Sequence, residues 1–165
     1  MSTAHGRQVR HRVCARVLPV NPAGEVLLLH GWDPAAPEEP YWFSIGGAID
    51  EGESLVDAAV REMREETGIV IQPTELGDPI GREDAEFDWG VWRLVNDQTY
   101  FALALDHDPA DVRFDGLEPI EKTSIDAAAW WTPEALEADG TAANEGLPDL
   151  MRTAIATIRA RGDRG

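Results

Sequence analysis

The stretch Gly46 to Ile69, GGAIDEGESLVDAAVREMREETGI, decides how this chain is read. It runs from a Gly-Gly step through an acidic loop into a helix. Ser54 followed by Asp57 forms a capping pair ahead of the apolar residues Leu55, Val56, Ala59, Val60 and Met63. At about 100° per residue these fill one arc, which faces a core. Glu62, Glu65 and Glu66 fall on a neighbouring arc, because residues three and four apart share a helix face. Gly68 sits where a C-terminal glycine ends a helix.

Like charges at that spacing cost a helix roughly 0.2–0.5 kcal/mol per pair, so a helix built for stability alone avoids them. A divalent cation reverses the sign. Mg²⁺ takes oxygen ligands in octahedral geometry and shares its shell with water and substrate phosphates. Clustered glutamates on a rigid helix, with Glu53 in the preceding loop, suit that coordination. The competing reading of the cluster alone is a solvated acidic face.

The spacing of the whole stretch separates the two. Gly47, Glu53, Arg61, Glu62, Met63, Glu65, Glu66, Gly68 and Ile69 stand at the intervals of the Nudix hydrolase signature, so the chain resembles that family. The approach to the box reads Ser44-Ile45-Gly46-Gly47 where the family commonly has Leu-Pro-Gly-Gly. The resemblance implies an α/β fold, a curled mixed sheet sandwiched between the box helix and a C-terminal helix. It implies hydrolysis of a diphosphate linked to another group, with Mg²⁺ (or Mn²⁺) as cofactor. It also implies that Glu62, Glu65, Glu66 and the Gly46 carbonyl are metal ligands, with Glu53 close to the same shell. Arg61 is expected to orient a box carboxylate by a bidentate contact. Trp130-Trp131-Thr132-Pro133-Glu134-Ala135-Leu136 resembles the segment that often follows the last strand in the family.

Composition limits the partners. With 165 residues the chain is expected to be one domain, its core over about 12–158, with an N-terminal arm and a fraying tail from Arg159. The net charge of −17 argues against DNA or long RNA, which rest on basic surfaces. A phosphate-bearing substrate must then be held by metal or by a few arginines. Cys14 is the sole cysteine, so no intrachain disulfide forms, and it reads as a small buried hydrophobe. Residues 1–11 lack the apolar run of a signal peptide, and no run of about 18 apolar residues occurs, so no membrane partner and a cytoplasmic location are expected.

Along the chain, Val13–Val20 and Glu25–His30 read as strands joined at Asn21-Pro22-Ala23-Gly24. Ile69–Ile71 reads as the start of another strand and Arg82–Asp88 as an acidic loop. Val91–Val95 and Gln98–Leu105 read as a hairpin across Asn96-Asp97, its second arm buried on both faces. Asp106–Thr123 is a long acidic loop, Ala127–Trp131 a short strand, and Thr132-Pro133 a helix start. Leu147, Leu150, Met151, Ala154, Ile155 and Ile158 recur at helical spacing.

For the general base, Glu118, Glu121 and Asp126 stand in or near the long loop, and Glu121 is the favoured candidate. Trp32, Tyr41, Trp42, Trp89 and Trp92 lie on or beside predicted loops, where an indole can stack on a nucleobase, and Trp42 and Trp89 are the favoured substrate contacts. The expected substrate is therefore a small nucleoside diphosphate derivative. A nucleotide-binding module that does not cleave is the alternative, disfavoured because every box carboxylate is kept. The sequence leaves the oligomeric state open, a homodimer included.

Overall fold

The computed structural model of the chain describes residues 3–4, 7–106 and 124–163. In chain order its strands are β1 (Thr3–Ala4), β2 (Arg7–Val20), β3 (Val26–Gly31), β4 (Tyr41–Phe43), β5 (Ile45–Ala48), β6 (Gly81–Trp89), β7 (Trp92–Ala104) and β8 (Ile125–Trp131). Helix α1 (Leu55–Thr67) follows β5, and α2 (Pro133–Asp139) and α3 (Leu147–Asp163) follow β8. Among the described residues no helix is long and apolar enough to cross a membrane.

Strand β2 organises the sheet. It runs antiparallel to β5 from Cys14↔Ala48 to Val17↔Ile45, and parallel to β7 from Gln8↔Trp92 to Val20↔Ala104. β6 pairs antiparallel with β7, while β3 carries β4 and β8. The two halves meet at Val20↔Val26.

Side chains alternate faces along a strand, and here the alternation sorts apolar residues into two cores. Ala15, Val17, Leu27, Leu29, Phe101 and Leu103 pack under α1 with Ala58, Ala59 and Met63. Leu18, Val20, Val26, Leu28, Tyr100 and Ala102 pack with Leu136, Leu147, Met151 and Ala154 of α2 and α3. A strand with both faces covered is apolar at nearly every position, which is why residues 100–103 read as a continuous run. The expected α/β sandwich of helices around a curled mixed sheet is what forms.

Four local expectations change. Residues 82–88 are in strand β6, whose half-buried Glu83, Ala85 and Phe87 alternate with exposed Arg82, Asp84 and Glu86. Asn96-Asp97 is no turn: β7 runs straight through it, because β2 and β6 pair with it on both sides. The hairpin turn lies earlier, at Gly90-Val91, where Gly90 has φ 61°. Residues 69–71 form no strand; a short 3₁₀ turn follows at Pro73–Glu75. β2 begins at Arg7, inside the expected arm. Cys14 is fully buried, and burial pushes its thiol pKa up.

The expected fraying from Arg159 also gives way to helix as far as Asp163. Arg161 pins it, donating from Nη1 to the Ala102 carbonyl at 3.0 Å and from Nη2 to the Leu76 carbonyl at 2.9 Å. Arg161→Ala is expected to lower unfolding free energy by about 1–3 kcal/mol, since two carbonyls lose a charged donor. Urea unfolding checks this; an unchanged midpoint would mean that the last turn contributes nothing.

Candidate active site

The site begins with how α1 is held. The Ser54 hydroxyl accepts from the Asp57 amide at 3.1 Å, and Gly68, with φ 77°, closes the other end by donating to the Arg64 carbonyl. Leu55, Val56 and Val60 join the core beneath. That rotation turns Glu62, Glu65 and Glu66 toward the Gly46-Gly47 step on β5. Glu62 is 7% exposed and Glu66 2%, so the acidic arc is no solvated face. The Gly46 amide donates to Glu66 Oε1 at 2.6 Å.

Arg61 is the hub of the carboxylates. Its Nε and Nη2 grip the two oxygens of Glu53 at 2.9 Å each. Nη1 donates to Glu62 at 2.9 Å and to Glu65 at 3.0 Å, and Nη2 also donates to the Ala48 carbonyl at 3.1 Å. Asp50 lies 3.3 Å from Nε. The guanidinium holds the Glu53 carboxyl below the usual carboxylate range, while burial pushes the Glu62 carboxyl up.

Beside this cluster opens a cleft of about 760 Å³. Glu62, Glu65 and Glu66 line it, together with Trp32, Tyr41, Phe87 and Trp89. So do Arg10, Arg12 and Arg16 of β2. Arg16, 8% exposed, donates from Nη1 to the Gly46 and Ser44 carbonyls and from Nε to Gln98 Oε1. The arginines were not among the sequence candidates. Their signal was present: Arg-x-Arg-x-Cys-x-Arg puts three cations on one strand face of a strongly acidic chain.

The expected residues divide. Gly46, Arg61, Glu62, Glu65, Glu66 and Trp89 share the cleft, and Glu53 reaches it through Arg61. Trp42 does not line it. Alternation along β4 sends Tyr41 and Phe43 one way and Trp42 the other, where its ring meets Trp131 at 5.3 Å and His30 at 4.7 Å. That is packing, which corrects its assignment as a stacking face. Asp126 also turns elsewhere, with an oxygen 2.6 Å from His30 Nδ1. Glu118 and Glu121 lie outside the described residues, although Ser124 and Ile125, just after them, line the cleft.

A divalent cation would find hard oxygen donors here. Glu62 is buried beside Glu65, a crowding that a second positive charge relieves. Among the described residues, however, no three His, Cys, Asp or Glu side chains are gathered in a ready metal cage; Arg61 compensates them instead.

The NUDIX domain profile matches residues 10–151. The chain belongs to the NUDIX domain family. It is 29% identical over 135 residues to an RNA pyrophosphohydrolase of Novosphingobium aromaticivorans, covering 76% of this chain and 80% of that one. Its fold matches an Ap4A hydrolase of C. elegans with TM-score 0.58 at 21% identity, over 90% of this chain and 98% of that one. A MutT protein from Methanosarcina mazei matches with TM-score 0.56, also at 21% identity, over 88% and 92%.

Two outcomes follow from this NUDIX geometry. Arg61→Gln is expected to cost about 3 kcal/mol of stability at pH 7, the low end for breaking a buried pair, because water can reach the cleft. Glu53, with its folded pKa depressed, contributes stability that is complete above its unfolded value of about 4.3. That contribution is lost as pH falls through the folded value. The gap between wild type and Arg61→Gln should therefore narrow below about pH 4 in chemical denaturation; a gap independent of pH would show that the ion pairs contribute nothing.

Proposed function

We propose that this pyrophosphohydrolase of the NUDIX family uses Mg²⁺, or Mn²⁺, to hydrolyse the diphosphate linkage of a small nucleoside diphosphate derivative, with water attacking phosphorus. One observation carries the reading: the glutamates of α1 and the indoles of Trp32 and Trp89 line the same cleft. The cation would be held by Glu62, Glu65, Glu66 and the Gly46 carbonyl, and would supply positive charge to the diphosphate and to the attacking water. Arg61 positions Glu53, Glu62 and Glu65 and does not itself meet substrate. Glu66, fixed by the Gly46 amide, ties the helix to the glycine step. Trp89 offers a face for the base, worth about 1–3 kcal/mol.

Cys14 does not line the cleft, and Asp50 and Asp88 face the guanidiniums of Arg61 and Arg93, an arrangement that supports direct attack by water over a covalent nucleophile. Glu121 is the proposed base, standing in the segment whose far end, Ser124-Ile125, reaches the cleft rim. The net charge of −17 supports a small substrate over a long polyanion, and a cytoplasmic site of action accords with the single unpaired cysteine. The relative from N. aromaticivorans acts on RNA by its name, so a short 5′-triphosphorylated RNA belongs in any substrate panel. A cleft that binds nucleotide without cleaving it is the alternative.

Turnover of a panel of nucleoside diphosphate derivatives should require Mg²⁺ or Mn²⁺ and should vanish in chelator. Glu65→Gln and Glu66→Gln should each lower kcat at least about a hundredfold; full activity in either places the chemistry elsewhere. In ¹⁸O-labelled water the label should appear only on a phosphate product. Label on a sugar carbon hydroxyl overturns attack at phosphorus.

Trp89→Ala should raise KM several-fold with little change in melting temperature. Trp42→Ala should do the reverse, lowering stability by about 3–5 kcal/mol as a packed indole and leaving KM alone. If KM rises for Trp42→Ala only, the base is bound on the other side of β4.

A further inference from the structure

The two half-sheets share the register pair Val20↔Val26, and a side chain joins them again beside the cleft. Asp33 stands two residues past the end of β3, and Gly90 forms the turn between β6 and β7. The Gly90 amide donates to Asp33 Oδ1 at 2.7 Å, across 57 positions of sequence. The same oxygen accepts from the Ala35 amide at 2.9 Å, which shapes the loop that Asp33 opens. One carboxylate oxygen therefore fixes its own loop and ties that loop to the hairpin turn.

Next to this bond stand two indoles. Trp32 precedes Asp33 and Trp89 precedes Gly90; both are half-buried and both line the cleft. The donating amide belongs to the peptide unit that leaves Trp89. On the other arm, the Trp32 amide donates to the Ser124 carbonyl at 3.0 Å, so its backbone is held as well. An indole placed in advance costs less ordering when a flat ring settles on it.

The charge of Asp33 by itself works against the ligand. Burial, and then the Asp33 carboxylate, push the Tyr41 hydroxyl pKa up, so the acid is felt by a side chain that lines the cleft. A negative charge there opposes a phosphate-bearing molecule. What the residue contributes is an oxygen that accepts two amides, and a carboxamide oxygen can do the same without the charge.

We propose that Asp33 is a positioning residue for the nucleoside half of the substrate: by tying the loop after β3 to the β6–β7 turn, it sets where Trp32 and Trp89 stand. The chemistry at the α1 glutamates does not depend on it. The inference rests on the nucleoside reading of the cleft, and its test needs no turnover.

ADP and inorganic pyrophosphate are titrated calorimetrically into the full chain in EDTA at fixed ionic strength. The ratio of the two affinities isolates the nucleoside. Wild type is expected to bind ADP at least about tenfold more tightly than pyrophosphate, as stacking on an indole provides. Asp33→Ala should cut that preference at least about threefold, with pyrophosphate affinity unchanged. Asp33→Asn keeps the acceptor and should keep the preference within about twofold of wild type. An undiminished preference in Asp33→Ala overturns the proposal. So does an equal fall in Asp33→Asn, which would assign the effect to charge. A wild type without the preference overturns it too, but that failure belongs to the nucleoside reading, since it precedes any change at Asp33. Should Asp33→Ala fail to fold, Asp33→Glu decides, because it keeps the charge while its longer arm displaces the oxygen. A fall of at least about threefold in that variant supports the tie, and an undiminished preference overturns it.

Discussion

The closeness of the Gly46-Gly47 step to what lies on either side of it is the constraint on which the site depends. A Cβ on Gly46 would stand 2.2 Å from the Ala15 carbonyl oxygen, and φ there is +142°. A Cβ on Gly47 would stand 2.9 Å from Glu62 Oε1. Only a chain without side chains passes between β2 and the acidic face of α1. Because it passes there, the Gly46 amide reaches Glu66 and the Gly46 carbonyl reaches Arg16. The departure at Ser44-Ile45 leaves this intact: Ile45 is buried in the core under α1 and Ser44 lends Arg16 a carbonyl. What the loop needs is backbone clearance, and the two glycines supply it.

Charge is the second organising force, and it is sorted more sharply than a net value of −17 suggests. The cleft gathers carboxylates around the Arg61 guanidinium, and among the described residues Arg12 and Arg16 of the same cleft hydrogen-bond to amide and carbonyl oxygens. Like charges repel within each set. Two sets of like charge in one cleft are costly unless the missing counter-charge arrives with ligand. A cation and a phosphate chain together satisfy both. Arg61 meanwhile keeps Glu53, Glu62 and Glu65 compensated, so α1 can carry its acids without one.

The packing explains why the cleft is where it is. The halves of the sheet diverge where β2 and β3 meet at one residue pair, and apolar side chains fill both faces around that seam. Toward the N-terminal end of β2 the alternation changes character. The face that holds Leu18 and Val20 deeper in the strand presents Arg16, Arg12 and Arg10 further out. Core becomes cleft along a single strand face because the residues become charged and their partners on β7 become Gln98 and Asn96.

From the sequence alone came the box helix with both its caps, the glutamate arc and the aliphatic strands around β2 and β3. Those features are local: a capping hydroxyl, a 3.6-residue period and an apolar run act through neighbours a few residues away. The buried second arm of β7 was legible for the same reason. Tertiary structure alone decided that Asn96-Asp97 is mid-strand, since pairing on both sides outweighs the turn preference of two residues. It turned the acidic stretch 82–88 into β6, because a hairpin partner supplies the hydrogen bonds that its polar sequence does not advertise. It separated Trp89, in the cleft, from Trp42, in the core, a distinction set by which face of a strand each occupies. It also brought Arg10, Arg12 and Arg16 opposite glutamates some fifty residues away. Even spacing puts them on one face of any strand, but only the tertiary structure says what they face.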